Sequence, residues 1–168
     1  MQKGNTIIIQ KIAKRRLFIY FHIPPKSAKI KADKGVLFMF VEYNINPAEK
    51  KVGDCVIRAL TKALGMTWEE VYLALCLQGY KMYDMPSSNA VWGAFLRSKG
   101  FKRGIISDSC PDCYTIEDFC KEYPQGVYII GTGSHAVTAI DGNVYDSWDS
   151  TQETPLYYYY KGGEMNAV

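Results

Sequence analysis

Asp141-Gly142-Asn143 narrows the fold more than any other stretch of this chain. It separates two short apolar runs, Ala136 to Ile140 and Val144 to Trp148. A tight reversal between two such runs needs residues that tolerate positive φ, and Asp-Gly or Gly-Asn supplies them. The runs therefore read as an antiparallel hairpin whose register matters. A two-residue loop, either Asp141-Gly142 or Gly142-Asn143, pairs odd-numbered positions with even-numbered ones. His135 and Asp146 then share a sheet face as diagonal neighbours, with Trp148 beside them and Asp149 on the other face. A three-residue loop inverts the faces and favours Ser147 or Asp149. Upstream, Val127 to Ile130 reads as another strand, which Gly131-Thr132-Gly133 breaks before His135.

A second constellation lies in the first half of the chain, at Gly53-Asp54-Cys55-Val56-Ile57-Arg58-Ala59-Leu60. Asp54 is a good N-cap, so Cys55 falls in the first turn of a helix. Val56, Ala59, Leu60, Ala63 and Leu64 give that helix one apolar face, and Gly65 is its natural stop. Free N–H groups and the helix dipole favour a thiolate at such a position. They can also donate to an oxyanion formed beside the sulfur. Cys55 then reads as a nucleophile, His135 as a base and Asp146 as the carboxylate that orients it, with Asp149 the rival for that role. Arg58, one turn past Cys55, reads as a structural partner for an acid. Its positive charge near the thiol is the other reading.

Around these pieces the elements alternate in character. Thr67-Trp68-Glu69-Glu70 is a capping box that opens a helix to Gln78, with Val71, Leu73, Ala74 and Cys76 directed to the core. Ser87 or Ser88 caps a helix over Asn89 to Lys99, apolar at Val91, Trp92, Phe95 and Leu96. Lys102 to Ile106 reads as a strand, Thr115 to Glu122 as a short capped helix, and Leu156 to Lys161 as a half-buried strand carrying four tyrosines. Helices first and strands later make an α+β pattern.

Met1 to Phe38 differs in charge, with nine Lys or Arg residues against the single acid Asp33, while the remainder is net acidic. Thr6 to Gln10, Leu17 to Ile23 and Val36 to Tyr43 read as strands, and Lys26 to Lys34 as a polar stretch. The segment reads as a basic arm for an acidic partner, as a solvated appendage, or as an extension upstream of a start at Met39. No nucleic-acid motif accompanies its charge, so nucleic acid is not the expected partner. The expected division is residues 1–38 as arm, 39–161 as the domain and 162–168 as a flexible tail. His22 reads as structural or exposed.

The five cysteines are Cys55, Cys76, Cys110, Cys113 and Cys120. An odd count without a secretory signal points to reduced thiols in a cytoplasm. No apolar run is long enough to span a bilayer. Cys110 and Cys113 have zinc-ligand spacing, but no second such pair exists, and only Cys76 or a distant histidine is left as a fourth ligand beside Cys120. The βαβ context of redox pairs is missing too. They read as loop thiols, and neither metal nor organic cofactor is expected.

The order Cys, His, Asp, with the cysteine on a helix and the other two on antiparallel strands, resembles the papain-like cysteine peptidases in their small bacterial and phage forms. The stretches that carry the resemblance are GDCVIRAL, CPDCYTIEDF, GVYII, GSHAVTAIDG and VYDSWDS, between Asn44 and Tyr160. It implies N-terminal helices packed on an antiparallel sheet that bears His135 and Asp146. It also implies Cys55 as nucleophile, His135 as general base and then acid, and a protein or peptide substrate in the cytoplasm of a bacterium or phage-infected host. Two departures stand out. No glutamine precedes Cys55, so Asn46 or Asn44 is left to complete the oxyanion hole. Asp146 stands where papain has asparagine. Trp148 is expected to wall the cleft. The activity implied is amide or isopeptide hydrolysis through an acyl-enzyme. Acyl transfer to an amine, peptidoglycan cleavage, or a catalytically idle binding module of phage origin are the alternatives, and oligomeric state is not fixed by the sequence.

Overall fold

A computed structural model describes residues 29–33, 36–107 and 114–161. Over these residues the chain runs β1 (Lys29–Asp33), β2 (Val36–Glu42), α1 (Cys55–Leu64), α2 (Trp68–Met82), α3 (Asn89–Ser98), β3 (Phe101–Ile105), α4 (Ile116–Glu122), β4 (Val127–Gly131), β5 (Ala136–Ile140), β6 (Asn143–Asp146) and β7 (Tyr157–Lys161). The described strands form one sheet in the order β1-β2-β6-β5-β4-β7-β3. The fold class is α+β.

The sheet is mixed, which corrects the expectation of an antiparallel one. β2 runs parallel to β6, with Phe40 opposite Val144 and Glu42 opposite Asp146. The apolar run that forms β2 precedes all the helices, so helices do not simply come first. β2 also runs across the boundary expected between residues 38 and 39. The stretch read as polar, Lys26 to Lys34, contains β1, which pairs antiparallel with β2. The expected strands at 6–10 and 17–23, His22, the Cys110–Cys113 loop and the tail at 162–168 lie outside the described residues.

Alternation along the central strands divides the core in two. Ile129, Tyr157 and Tyr159 face α1, α2 and α3 with Leu60, Leu75, Trp92 and Leu96. Tyr128, Ile130, Val137 and Val144 face the other way, onto Ile116 and Phe119 of α4. A strand buried on both faces places successive side chains in opposite cores, which is why four tyrosines in a row fit into β7. α1 is fixed to the sheet by more than packing: the buried Thr138 hydroxyl on β5 donates to the Ala59 carbonyl at 2.6 Å. Thr138→Val keeps the shape and removes this bond. It is expected to cost about 1 kcal/mol in urea unfolding.

α2 departs from its sequence reading in two ways. It continues past Gln78 to Met82, and Tyr83 caps it in the left-handed region at φ 54. Gly79 lies within α2. It is buried inside the helix, and a Cβ there would lie 2.6 Å from the Asp84 carbonyl, so the glycine admits the returning loop. Leu73, expected in the core, is 66% exposed, and the buried face is instead Val71, Leu75 and Gly79.

Candidate active site

Cys55 is the first residue of α1. The preceding Asp54 does not cap the helix with its side chain, contrary to expectation. Its carboxylate is buried and engaged elsewhere. One oxygen pairs with Arg58. The other accepts from Asn46 Nδ2 and from Trp68 Nε1, each at 3.0 Å. The Asn46 carboxamide oxygen meanwhile accepts from the Ala48 and Lys50 N–H groups. Asn46, expected among the oxyanion donors, thus holds the loop and the residue before the nucleophile.

His135 stands where β5 begins. Its N–H donates to Thr132 Oγ1 at 3.1 Å, and the Thr132 N–H returns a bond to its carbonyl at 2.9 Å. These two bonds close the turn between β4 and β5. The hairpin uses the two-residue loop Asp141-Gly142, both at positive φ, with Ile140 opposite Asn143 and Thr138 opposite Tyr145. Continued toward His135, that register makes Asp146 a diagonal neighbour of His135, and the side chains meet: His135 Nε2 lies 2.6 Å from Asp146 Oδ2. Asp149, the rival, instead accepts from Thr151.

Asp146 is held from several sides. Ser150 Oγ donates to Oδ2 and the Ser147 N–H to Oδ1, both at 2.7 Å. Arg58 Nη2 stands 3.7 Å from Oδ1. Arg58 therefore links Asp54, just before the nucleophile, to the carboxylate behind the histidine. Ser150 has no signal in the sequence, because it acts from a loop beyond β6. Ser150→Ala leaves a buried carboxylate one donor short. It is expected to cost about 1.5–3 kcal/mol of stability by denaturant titration.

Nε2 of His135 is committed to Asp146, and the imidazole and the Cys55 thiol each act on the other's ionisation. Burial pushes the thiol pKa up, but the bond from His135, the N–H of Ala136, the charge of His135 and the N–H of Val56 outweigh it, and the net shift is downward. Burial likewise disfavours imidazolium, yet Asp146 and Cys55 more than offset that and raise His135 to about 9. Both shifts favour a thiolate–imidazolium pair at neutral pH. The Trp148 ring lies against the imidazole, with centroids 5.3 Å apart, and is 46% exposed, so it shields one side of the histidine. An open groove of about 500 Å³ reaches Gly53 and Asp54, with Val52, Ile57, Trp68 and Tyr72 in its walls.

Among the described residues no group of three or more His, Cys, Asp or Glu side chains is arranged to hold a metal ion. No described helix is long and apolar enough to cross a membrane. Comparison with family models, curated proteins and solved structures gave no match.

Proposed function

We propose that this protein is a cysteine hydrolase of papain-like type, a peptidase that cleaves an amide or isopeptide bond in a protein or peptide. The observation that carries this is the chain of contacts from the Cys55 sulfur through the His135 imidazole to the buried Asp146 carboxylate. A half-buried histidine paired with a buried carboxylate and coupled to a thiol at a helix start suits nucleophilic catalysis.

In this reading the Cys55 thiolate attacks the carbonyl carbon, and the negative charge moves to the carbonyl oxygen. The Cys55 backbone N–H at the tip of α1 is the proposed donor to that oxygen. Imidazolium at His135 protonates the leaving amine as the C–N bond breaks, which leaves an acyl-enzyme and neutral imidazole. A water then gives its proton to His135 as it attacks the thioester, and Cys55 is released as thiolate. Asp146 fixes the ring orientation and stabilises imidazolium, and Trp148 limits water access to that pair. A free thiol nucleophile also suits a reducing compartment, so the reading assigns the protein to the cytoplasm of a bacterium or an infected host.

Limiting iodoacetamide with peptide mapping tests the proposal. Cys55 should be alkylated well before Cys76 and Cys120, whose thiols have no imidazole partner in the described site. Burial pushes Cys120 up to about 12. Equal labelling of all thiols would count against an activated nucleophile.

A further inference from the structure

α2 is apolar on two opposite faces, while the described chain covers only one. Val71, Leu75 and Gly79 face the core. On the other side Leu73 is 66% exposed, Leu77 55% and Tyr80 78%. A helix with apolar residues all round is ordinarily buried all round. The order of residues on the open face is specific. Glu69, Leu73, Leu77 and Lys81 follow one another at four-residue intervals and are all exposed, so they form one ridge along the helix. The ridge has an acid at one end, a base at the other and two leucines between, which makes it complementary to itself when reversed.

We propose that two copies of this chain pair through α2 in antiparallel fashion, about a two-fold axis at the level of Leu75. Leu73 of each copy then lies against Leu77 of the other, and Glu69 faces Lys81 of the second copy at both ends. The same axis sets Glu70 opposite the hydroxyl of Tyr80. A two-fold interface uses one patch on both subunits, so its pairs must be reciprocal, and every pair on this ridge is. Interlocking four-residue ridges cross at about −50°, the angle that lays the two inclined ridges alongside each other. The occupant argued here is a second copy because charge as well as shape matches: an unrelated apolar partner has no need of an acid and a base placed symmetrically about the leucines. Glu69 also belongs to the wall of the groove that reaches Gly53 and Asp54. Pairing therefore brings Lys81 of the second copy to the mouth of that groove.

Sedimentation velocity on the full chain tests this, with far-UV circular dichroism and thermal melts as the fold control. The wild-type protein should sediment as a dimer at micromolar concentration. Leu77→Glu, which sets two carboxylates into the leucine layer, should sediment as a monomer with an unchanged melt. Glu69→Lys should weaken the dimer by about tenfold or more, as opposed charges become like charges. Adding Lys81→Glu to that chain should restore it. A rescue of this kind cannot come from misfolding. A wild-type monomer would overturn the proposal, whether the ridge is covered by the chain itself, seen as a lower melting temperature for Leu77→Glu, or by a different protein. A dimer that Leu77→Glu leaves intact would overturn it equally.

Discussion

Cys55→Ala should abolish amide hydrolysis, with turnover falling by about four orders of magnitude or more once a cleavable peptide is in hand. No other described group near His135 can take over the attack. Cys76 and Cys120 lie on α2 and α4, away from the imidazole, and Ser150 donates to Asp146. His135→Ala should fall nearly as far, because it removes the proton donor for the leaving amine and the group that keeps the sulfur ionised. The double variant should be scarcely worse than either single one, since the two act as a unit. Assay against a peptide library, with circular dichroism to confirm folding, measures all three. Full activity in Cys55→Ala would refute the mechanism.

Arg58→Met should have the largest effect on stability among the polar substitutions. Arg58 is 7% exposed and lies between Asp54 and Asp146, themselves 4% and 3% exposed. Methionine roughly fills the space but leaves the buried Asp54 carboxylate without its cation and Asp146 with His135 alone. Breaking a buried pair from one side costs about 3–5 kcal/mol, far more than the pair itself contributes. Arg58→Lys should recover only part of this, because an ammonium is a point charge and cannot reach two carboxylates with a planar fork. Denaturant unfolding of the two variants gives the comparison. A loss under about 1 kcal/mol for Arg58→Met would mean that the bridge contributes little. A structural role for Arg58 is legible in its spacing from Asp54, but the second acid, Asp146, comes from a distant strand.

What was legible in the chain was local. The Asp141-Gly142 turn set the register, and the register brought His135 to Asp146. Capping boxes at Thr67 and Thr115 marked two helix starts, and both are present with reciprocal bonds. What was not legible depended on distant contacts. Asp54 has the composition of a cap, yet Arg58, Asn46 and Trp68 compete for its carboxylate and win. The helix expected to end at Gln78 runs on to Met82, because Gly79 inside it admits the loop at Asp84. β2 has the apolar run of a strand, and nothing within it told that its neighbour would be β6 in parallel. Leu73 fits an apolar pattern that α2 carries on both faces, so periodicity could not decide which side was core.

The pH dependence of Cys55 alkylation tests the central claim most directly. In the wild-type protein the rate should hold a plateau through neutral pH, well below the ordinary thiol range, because the sulfur is already ionised opposite imidazolium. It should step upward near pH 9, as His135 loses its proton and the thiolate is freed from its partner. In His135→Ala the plateau should vanish and the rate should follow a single ordinary thiol titration. A wild-type profile that shows one ordinary thiol titration and matches His135→Ala would contradict the account.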